Sequence, residues 1–150
     1  MSSGAFSILL VEDSADDALL LQRAFRKLGM EERIQVLPDG EKAVAYLAGE
    51  GDYRDRLLYP LPGLMLLDLK LPRRSGFEVL EWLRLQPGLK RLPVVVLTGS
   101  RESSDVDRAA DLGANSYLVK PVGFEALQSV VQTLHLYWLR FNESPRLGMP

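Results

Sequence analysis

Short apolar runs recur along the chain at residues 8–11, 34–37, 64–68, 94–98 and 115–119, separated by longer amphipathic stretches. The runs ILLV, LMLL, VVVL and YLV lack period-two alternation, which fits strands buried on both faces of a parallel sheet. The stretches between them carry helical spacing. Ala18, Leu21, Phe25 and Leu28 form one stripe, opened by Ser14 as a cap with Asp16 and Asp17 in the first turn, and stopped by Gly29. Ala43, Val44 and Leu47 mark a second helix, and Phe77, Leu80 and Leu83 a third. A fourth helix closes on Leu112-Gly113, and Leu127, Val130, Val131, Leu134 and Trp138 give a long last one. Five strands alternating with five helices predict an α/β doubly wound sheet. Residues 49–63 are expected to form a long connection with chain breakers at both ends. The segment after 142, with two prolines and a glycine, is expected to be a flexible tail.

The ends of the strands carry the chemistry. The runs stop on Glu12-Asp13, Asp68, Thr98 and Lys120-Pro121. In a doubly wound sheet the carboxyl ends of the strands share one crevice, where ligands bind. Three carboxylates in one crevice repel one another unless a cation is present. Mg²⁺ suits them, because it takes oxygen ligands, keeps several waters and binds through one or two carboxylates. Glu12, Asp13, Asp68 and the backbone carbonyl of Lys70 are the candidate ligands. Asp68 is the candidate nucleophile for a phosphoryl group. Lys120 is placed to neutralise a phosphoryl oxygen, and Thr98 to donate a hydrogen bond to another.

Composition narrows the setting. The 150 residues suit one domain with a full core, at 47% hydrophobic and 25% charged content. A net charge of −2 gives no basic patch for nucleic acid or a membrane surface. The chain has no cysteine, which fits a reducing, cytoplasmic location. No run approaches the roughly 20 apolar residues of a bilayer span.

In this order and spacing, Glu12-Asp13, Asp68 in DLKLPRRSGFEVL, Thr98-Gly99 and LGANSYLVKP ending on Lys120-Pro121 resemble a response-regulator receiver domain of a two-component system. The resemblance covers residues 1–142. It implies a flavodoxin-like sheet of order 2-1-3-4-5, Mg²⁺-dependent phosphotransfer from a sensor histidine kinase to Asp68, and a cis Lys120-Pro121 bond. It gives Thr98 and Tyr117 the roles of switch residues. The insertion 49–63, the DLKLP loop and the ending LYWLRFNESP are similar to single-domain regulators that partner bacteriophytochrome-type kinases. Gly123 departs from the pattern, which has an aspartate as helix cap there. Lys70 departs too, standing where many receivers carry a neutral side chain.

A haloacid-dehalogenase-type phosphatase also uses an aspartate nucleophile with Mg²⁺, but needs a general acid two residues later, where this chain has Lys70. A flavodoxin-like flavin binder needs a phosphate loop after the first strand, and Glu12, Asp13, Asp16 and Asp17 stand there instead. A receiver-like scaffold that is never phosphorylated is the third alternative. His135, the one histidine, reads as a surface residue. Lys70 is expected to pair with Glu12 or the phosphoryl oxygens at the mouth of the pocket. With no output module expected after 142, the signal is expected to pass through changed protein–protein contacts. Leu136, Tyr137, Leu139 and Phe141, left over after one inward face is assigned, predict a homodimer through the fifth strand and last helix.

Overall fold

A computed structural model describes residues 6–30 and 33–148. Strands β1 (Ile8–Val11), β2 (Ile34–Leu37), β3 (Leu64–Leu67), β4 (Val94–Thr98) and β5 (Ser116–Val119) alternate with helices α1 (Ala15–Arg26), α2 (Gly40–Ala48), α3 (Gly76–Arg84), α4 (Ser103–Asp111) and α5 (Phe124–Leu134). All pairings are parallel, in the order β2-β1-β3-β4-β5. The strands are short because each only crosses the core once, and β1, β3 and β4 are buried along their whole length.

Alternate residues of one strand supply opposite faces. Ile8, Leu10, Leu64, Leu66, Val95 and Leu97 pack with Ala18, Leu21, Phe25, Leu127, Val131 and Leu134 of α1 and α5. Leu9, Val11, Met65 and Leu67 pack on the other side with Ala43, Tyr46, Leu47, Val79, Leu80 and Leu83 of α2 and α3. A smaller cluster of Leu69, Val96 and Ala109, with Phe77 and Tyr117 against it, underlies α4. Each buried aliphatic side chain contributes on the order of 1.5–3 kcal/mol. The sheet thus holds its central strands rigidly, and with them the residues at their ends.

Three segments differ from expectation. The connection 49–63 is built rather than loose. Gly51–Tyr53 forms a 3₁₀ turn, and the rings of Tyr46, Tyr53 and Tyr59 meet at 5.2–6.0 Å. The Arg56 guanidinium donates to the carbonyls of Tyr46 (2.8 Å), Leu47 (2.8 Å) and Tyr59 (3.1 Å). It thereby gives a partner to two carbonyls at the end of α2, of which that of Tyr46 also accepts from the Gly49 N–H at 3.1 Å.

The last helix changes type: after α5, His135–Phe141 is π-helical. The wider turn brings Leu139 and Trp138 onto the core, half-buries His135, and leaves Leu136, Tyr137 and Phe141 exposed. Of the four leftover residues named from the sequence, Leu139 is therefore partly accounted for by the chain's own core. The tail makes defined contacts as far as Gly148. Leu147 packs on the α2–α3 side, and the Gly148 N–H donates to the Gly88 carbonyl at 2.7 Å. Residues 149 and 150 lie outside the described residues.

Two backbone details bear on the site. The Lys120–Pro121 bond, expected to be cis, is trans, the isomer that bonds before proline favour by a small margin. Gly123 has φ 92° as the N-cap of α5. An aspartate is strained in that conformation, which accounts for glycine where the pattern has an acidic cap.

Candidate functional site

Asp68 follows β3 directly and is 7% exposed. Its carboxylate is held from two sides. Oδ1 accepts from the Leu69 N–H at 2.7 Å and, more distantly, the Lys70 N–H at 3.4 Å. Oδ2 accepts from Lys120 Nζ at 3.0 Å. Gly76 makes the turn possible. Its N–H donates to the Leu69 carbonyl at 2.9 Å, and a Cβ there would run into the Asp68 carbonyl oxygen. Ser75 fixes the start of α3 behind it through a reciprocal bond pair with Glu78.

Glu12 and Asp13 end β1. Glu12 is 3% exposed, while Asp13 faces solvent. Each of Glu12, Asp13 and Asp68 offers one carboxylate oxygen within 4.8 Å of the others. Three hard oxygen donors at that spacing, two of them buried, fit a small divalent cation.

Lys120 enters from the end of β5, its backbone N–H donating to the Thr98 carbonyl at 2.7 Å. Its ammonium meets Glu12 Oε1 at 2.6 Å, Asp17 Oδ2 at 2.9 Å and Asp68 Oδ2 at 3.0 Å. Burial pushes the Glu12 carboxyl up to about 7, against the opposing pull of its bonds with Lys120 and Ser14. Burial also disfavours the Lys120 ammonium, but hydrogen bonds to Glu12, Asp17 and Asp68 outweigh it and raise its pKa above the ordinary lysine value. Lys120 is therefore a permanent cation.

Thr98 is 1% exposed at the end of β4. Tyr117 is half-buried, and its hydroxyl donates to the Ser100 carbonyl at 3.0 Å. Ser100 in turn donates to Asp105 Oδ2 at 2.6 Å, tying the loop to the first turn of α4.

Glu12, Asp13, Asp68, Lys70, Thr98 and Lys120 thus lie at the carboxyl ends of β1, β3, β4 and β5, with Tyr117 within β5, while Leu136, Tyr137, Leu139 and Phe141 lie on the segment after α5. One expected contact differs: Lys70 is exposed and makes no ion pair among the described residues, because Glu12 is taken by Lys120. One participant was missed. Asp17 reads in the sequence as an ordinary acidic residue of a first helical turn, but it reaches Lys120 from α1. Its position three residues after the Ser14 cap was the available signal.

Residues 8–132 match the response regulator receiver domain. The chain belongs to that family. Receiver domains are phosphoacceptors of two-component systems and bind a divalent metal in the active site. This receiver is 45% identical over 141 residues to the probable methanogenesis regulatory protein FilR2 of Methanothrix harundinacea, across 93% of this chain and 88% of that protein. It is 41% identical over 132 residues to response regulator Rcp1 of Synechocystis, across 88% of each. A crystal structure of Mn²⁺-bound Rcp1 superposes on the receiver with a TM-score of 0.83 at 39% identity, over 94% of this chain and 99% of that one. The phosphorylated cyanobacterial phytochrome response regulator RcpA superposes with a TM-score of 0.87 at 37% identity, over the same shares. No helix among the described residues is long and apolar enough to cross a membrane.

Proposed function

We propose that this receiver accepts a phosphoryl group on Asp68 from a sensor histidine kinase, and that Glu12, Asp13, Asp68 and the Lys70 carbonyl hold the Mg²⁺ the reaction needs. The observation that carries the reading is the buried Asp68 carboxylate, 3.0 Å from Lys120 and within 4.8 Å of the Glu12 and Asp13 oxygens. An Asp68 oxygen attacks phosphorus, the phosphorus–nitrogen bond of the kinase phosphohistidine breaks, and an acyl phosphate forms. A divalent cation held by these residues would supply positive charge to offset that of the carboxylates and the incoming phosphoryl group. Lys120 neutralises a further phosphoryl oxygen, and Thr98, on the adjacent strand, supplies a hydroxyl donor. Tyr117 and Thr98 then pass the change to the β4–α4 loop and α4, so that output is an altered protein contact in the cytoplasm.

Labelling with a small radioactive acyl phosphate tests this. The wild-type chain is expected to label with Mg²⁺ and not with a chelator, and Asp68→Asn to remain unlabelled. Label on another residue of the Asp68→Asn variant overturns the assignment.

Similarity to RcpA, described as a phytochrome response regulator, favours a bacteriophytochrome-type kinase as the donor. Transfer from such a kinase, set against unrelated histidine kinases at matched concentration, is the deciding comparison. A homodimer is the accompanying reading. Among the described residues β5 pairs only with β4, and an open groove of about 700 Å³ beside it is lined by Leu118, Val130, Leu134, Tyr137 and Trp138. Leu136, Tyr137 and Phe141 lie exposed on the same C-terminal segment, a patch that a second copy would bury. Light scattering at tens of micromolar, with and without a phosphoryl mimic, tests it. A strict monomer in both states overturns it.

A further inference from the structure

The Lys120 ammonium has three protons, and three carboxylates take them. Glu12 Oε1, Asp17 Oδ2 and Asp68 Oδ2 lie at 2.6, 2.9 and 3.0 Å. Two of these acceptors belong to the set whose oxygens converge for a cation, and Asp17 does not. A cation drawing on Glu12 and Asp68 weakens their hold on Lys120. A phosphoryl group on Asp68 replaces the carboxylate charge that Lys120 faced. Asp17 is the one partner that neither event removes.

Asp17 is also fixed in place. Glu12 Oε2 accepts from the Ser14 N–H at 3.1 Å, and Ser14 Oγ accepts from the Asp17 N–H at 3.2 Å. Lys120 then joins Asp17 back to Glu12, so that four residues form a closed ring of hydrogen bonds. The third position of α1 lies in the positive field of the helix start, which favours the Asp17 carboxylate. Its side chain is 41% exposed, so it meets Lys120 from the solvent side while the other two acceptors lie beneath.

We propose that Asp17 is the positioning residue of Lys120, holding the ammonium over the phosphoryl site while Glu12 and Asp68 change partners. The inference rests on Asp68 being the phosphoacceptor. Without Asp17 the ammonium is free to lean toward Glu12 and Asp68 or out into solvent. It then spends less time where a phosphoryl oxygen arrives, while the cation's own carboxylates remain.

The test compares Asp17→Ala and Asp17→Asn with the wild-type chain. Two quantities are measured: the labelling rate with a small acyl phosphate at saturating Mg²⁺, and the Mg²⁺ dissociation constant by calorimetry. Asp17→Ala is expected to label about tenfold more slowly, the size of one partly exposed charge-assisted hydrogen bond. The Mg²⁺ constant is expected to stay within about threefold, since no metal ligand is touched. Asparagine keeps an acceptor oxygen and is expected to recover most of the rate. An unchanged or faster rate in Asp17→Ala overturns the proposal, as does a Mg²⁺ constant that weakens in step with the rate. An asparagine variant as slow as alanine overturns it too. A wild-type chain that never labels, or one that labels without Asp68, overturns the phosphoacceptor reading instead and is told apart by that control.

Discussion

The Tyr117 hydroxyl donates to the backbone carbonyl of Ser100 at 3.0 Å, across from β5 to the loop that follows β4. Ser100 is two residues beyond Thr98, so this bond joins the phosphoryl end of the sheet to the start of α4. Tyr117→Phe removes the bond and keeps the ring. It is expected to cost about 0.5–1.5 kcal/mol of stability and to speed amide exchange in residues 100–105. Labelling of Asp68 is expected to stay within twofold or so, because Tyr117 touches no reacting group. Exchange rates in that loop that match wild type would show that the bond does not restrain it.

The Glu12 carboxyl is held at about 7, above its ordinary 4.5, by burial. Between those values the folded chain keeps a proton that the unfolded chain has lost. The stability owed to Glu12 is therefore present at low pH and declines as pH rises through that window. The same proton competes with a cation for the carboxylate. Apparent Mg²⁺ affinity is expected to fall by up to about tenfold per pH unit below 7 and to level off above it. In Glu12→Gln the affinity is lower and this slope disappears. Calorimetric titrations at several pH values check both, and a flat wild-type profile would count against the assignment of Glu12 as a ligand.

Arg56 holds the carbonyls of Tyr46, Leu47 and Tyr59 together. Arg56→Ala removes its bonds to all three, leaving the Tyr46 carbonyl only the one from the Gly49 N–H, and is expected to cost about 1–3 kcal/mol. Lysine is expected to restore little, since an ammonium cannot reproduce the planar fork that reaches two carbonyls of α2 and one of the loop. Denaturant melts of the two variants decide it. Equal stability of Arg56→Lys and wild type would mean that charge alone suffices.

Lys70 stands exposed, two residues past Asp68. Its ammonium is expected to obstruct the line along which hydrolytic water approaches phosphorus, since in-line approach governs such transfers. Lys70→Asn is expected to shorten the lifetime of the phosphorylated chain by a few-fold, while Mg²⁺ affinity holds because the carbonyl is unchanged. Chasing the label after removal of the donor gives the half-life. An unaltered half-life would place the side chain away from the water's path.

Much of the site was readable in the sequence for one physical reason. β1, β3 and β4 are buried on both faces, so the first polar residues Glu12, Asp68 and Thr98 mark the ends of those strands. β5, expected to be buried in the same way, is half-buried at the sheet edge, and Lys120 was legible from its place before Pro121 instead. What stayed hidden depends on contacts distant in sequence. Asp17 needs Lys120, 103 residues away, to become more than a helix-start acid. The 49–63 segment takes its order from Arg56 reaching back to α2. Gly123 is explained only by its φ of 92°. The apolar residues of 135–141 satisfy helical spacing in general, and that spacing does not choose between an α and a π turn.

That π-helical stretch gives the end of the chain a reserve of length. In an ordinary α-helix each residue advances the chain by roughly 100°, so the loss of one residue turns everything after it by that angle. The π turns of 135–141, closed by i→i+5 bonds, hold an extra residue relative to α turns. Removing one residue there would let α5 continue as an α-helix with the chain beyond the cut facing nearly as before. The stretch is slack wound into the helix, able to absorb a deletion that a regular helix would pass on as a rotation.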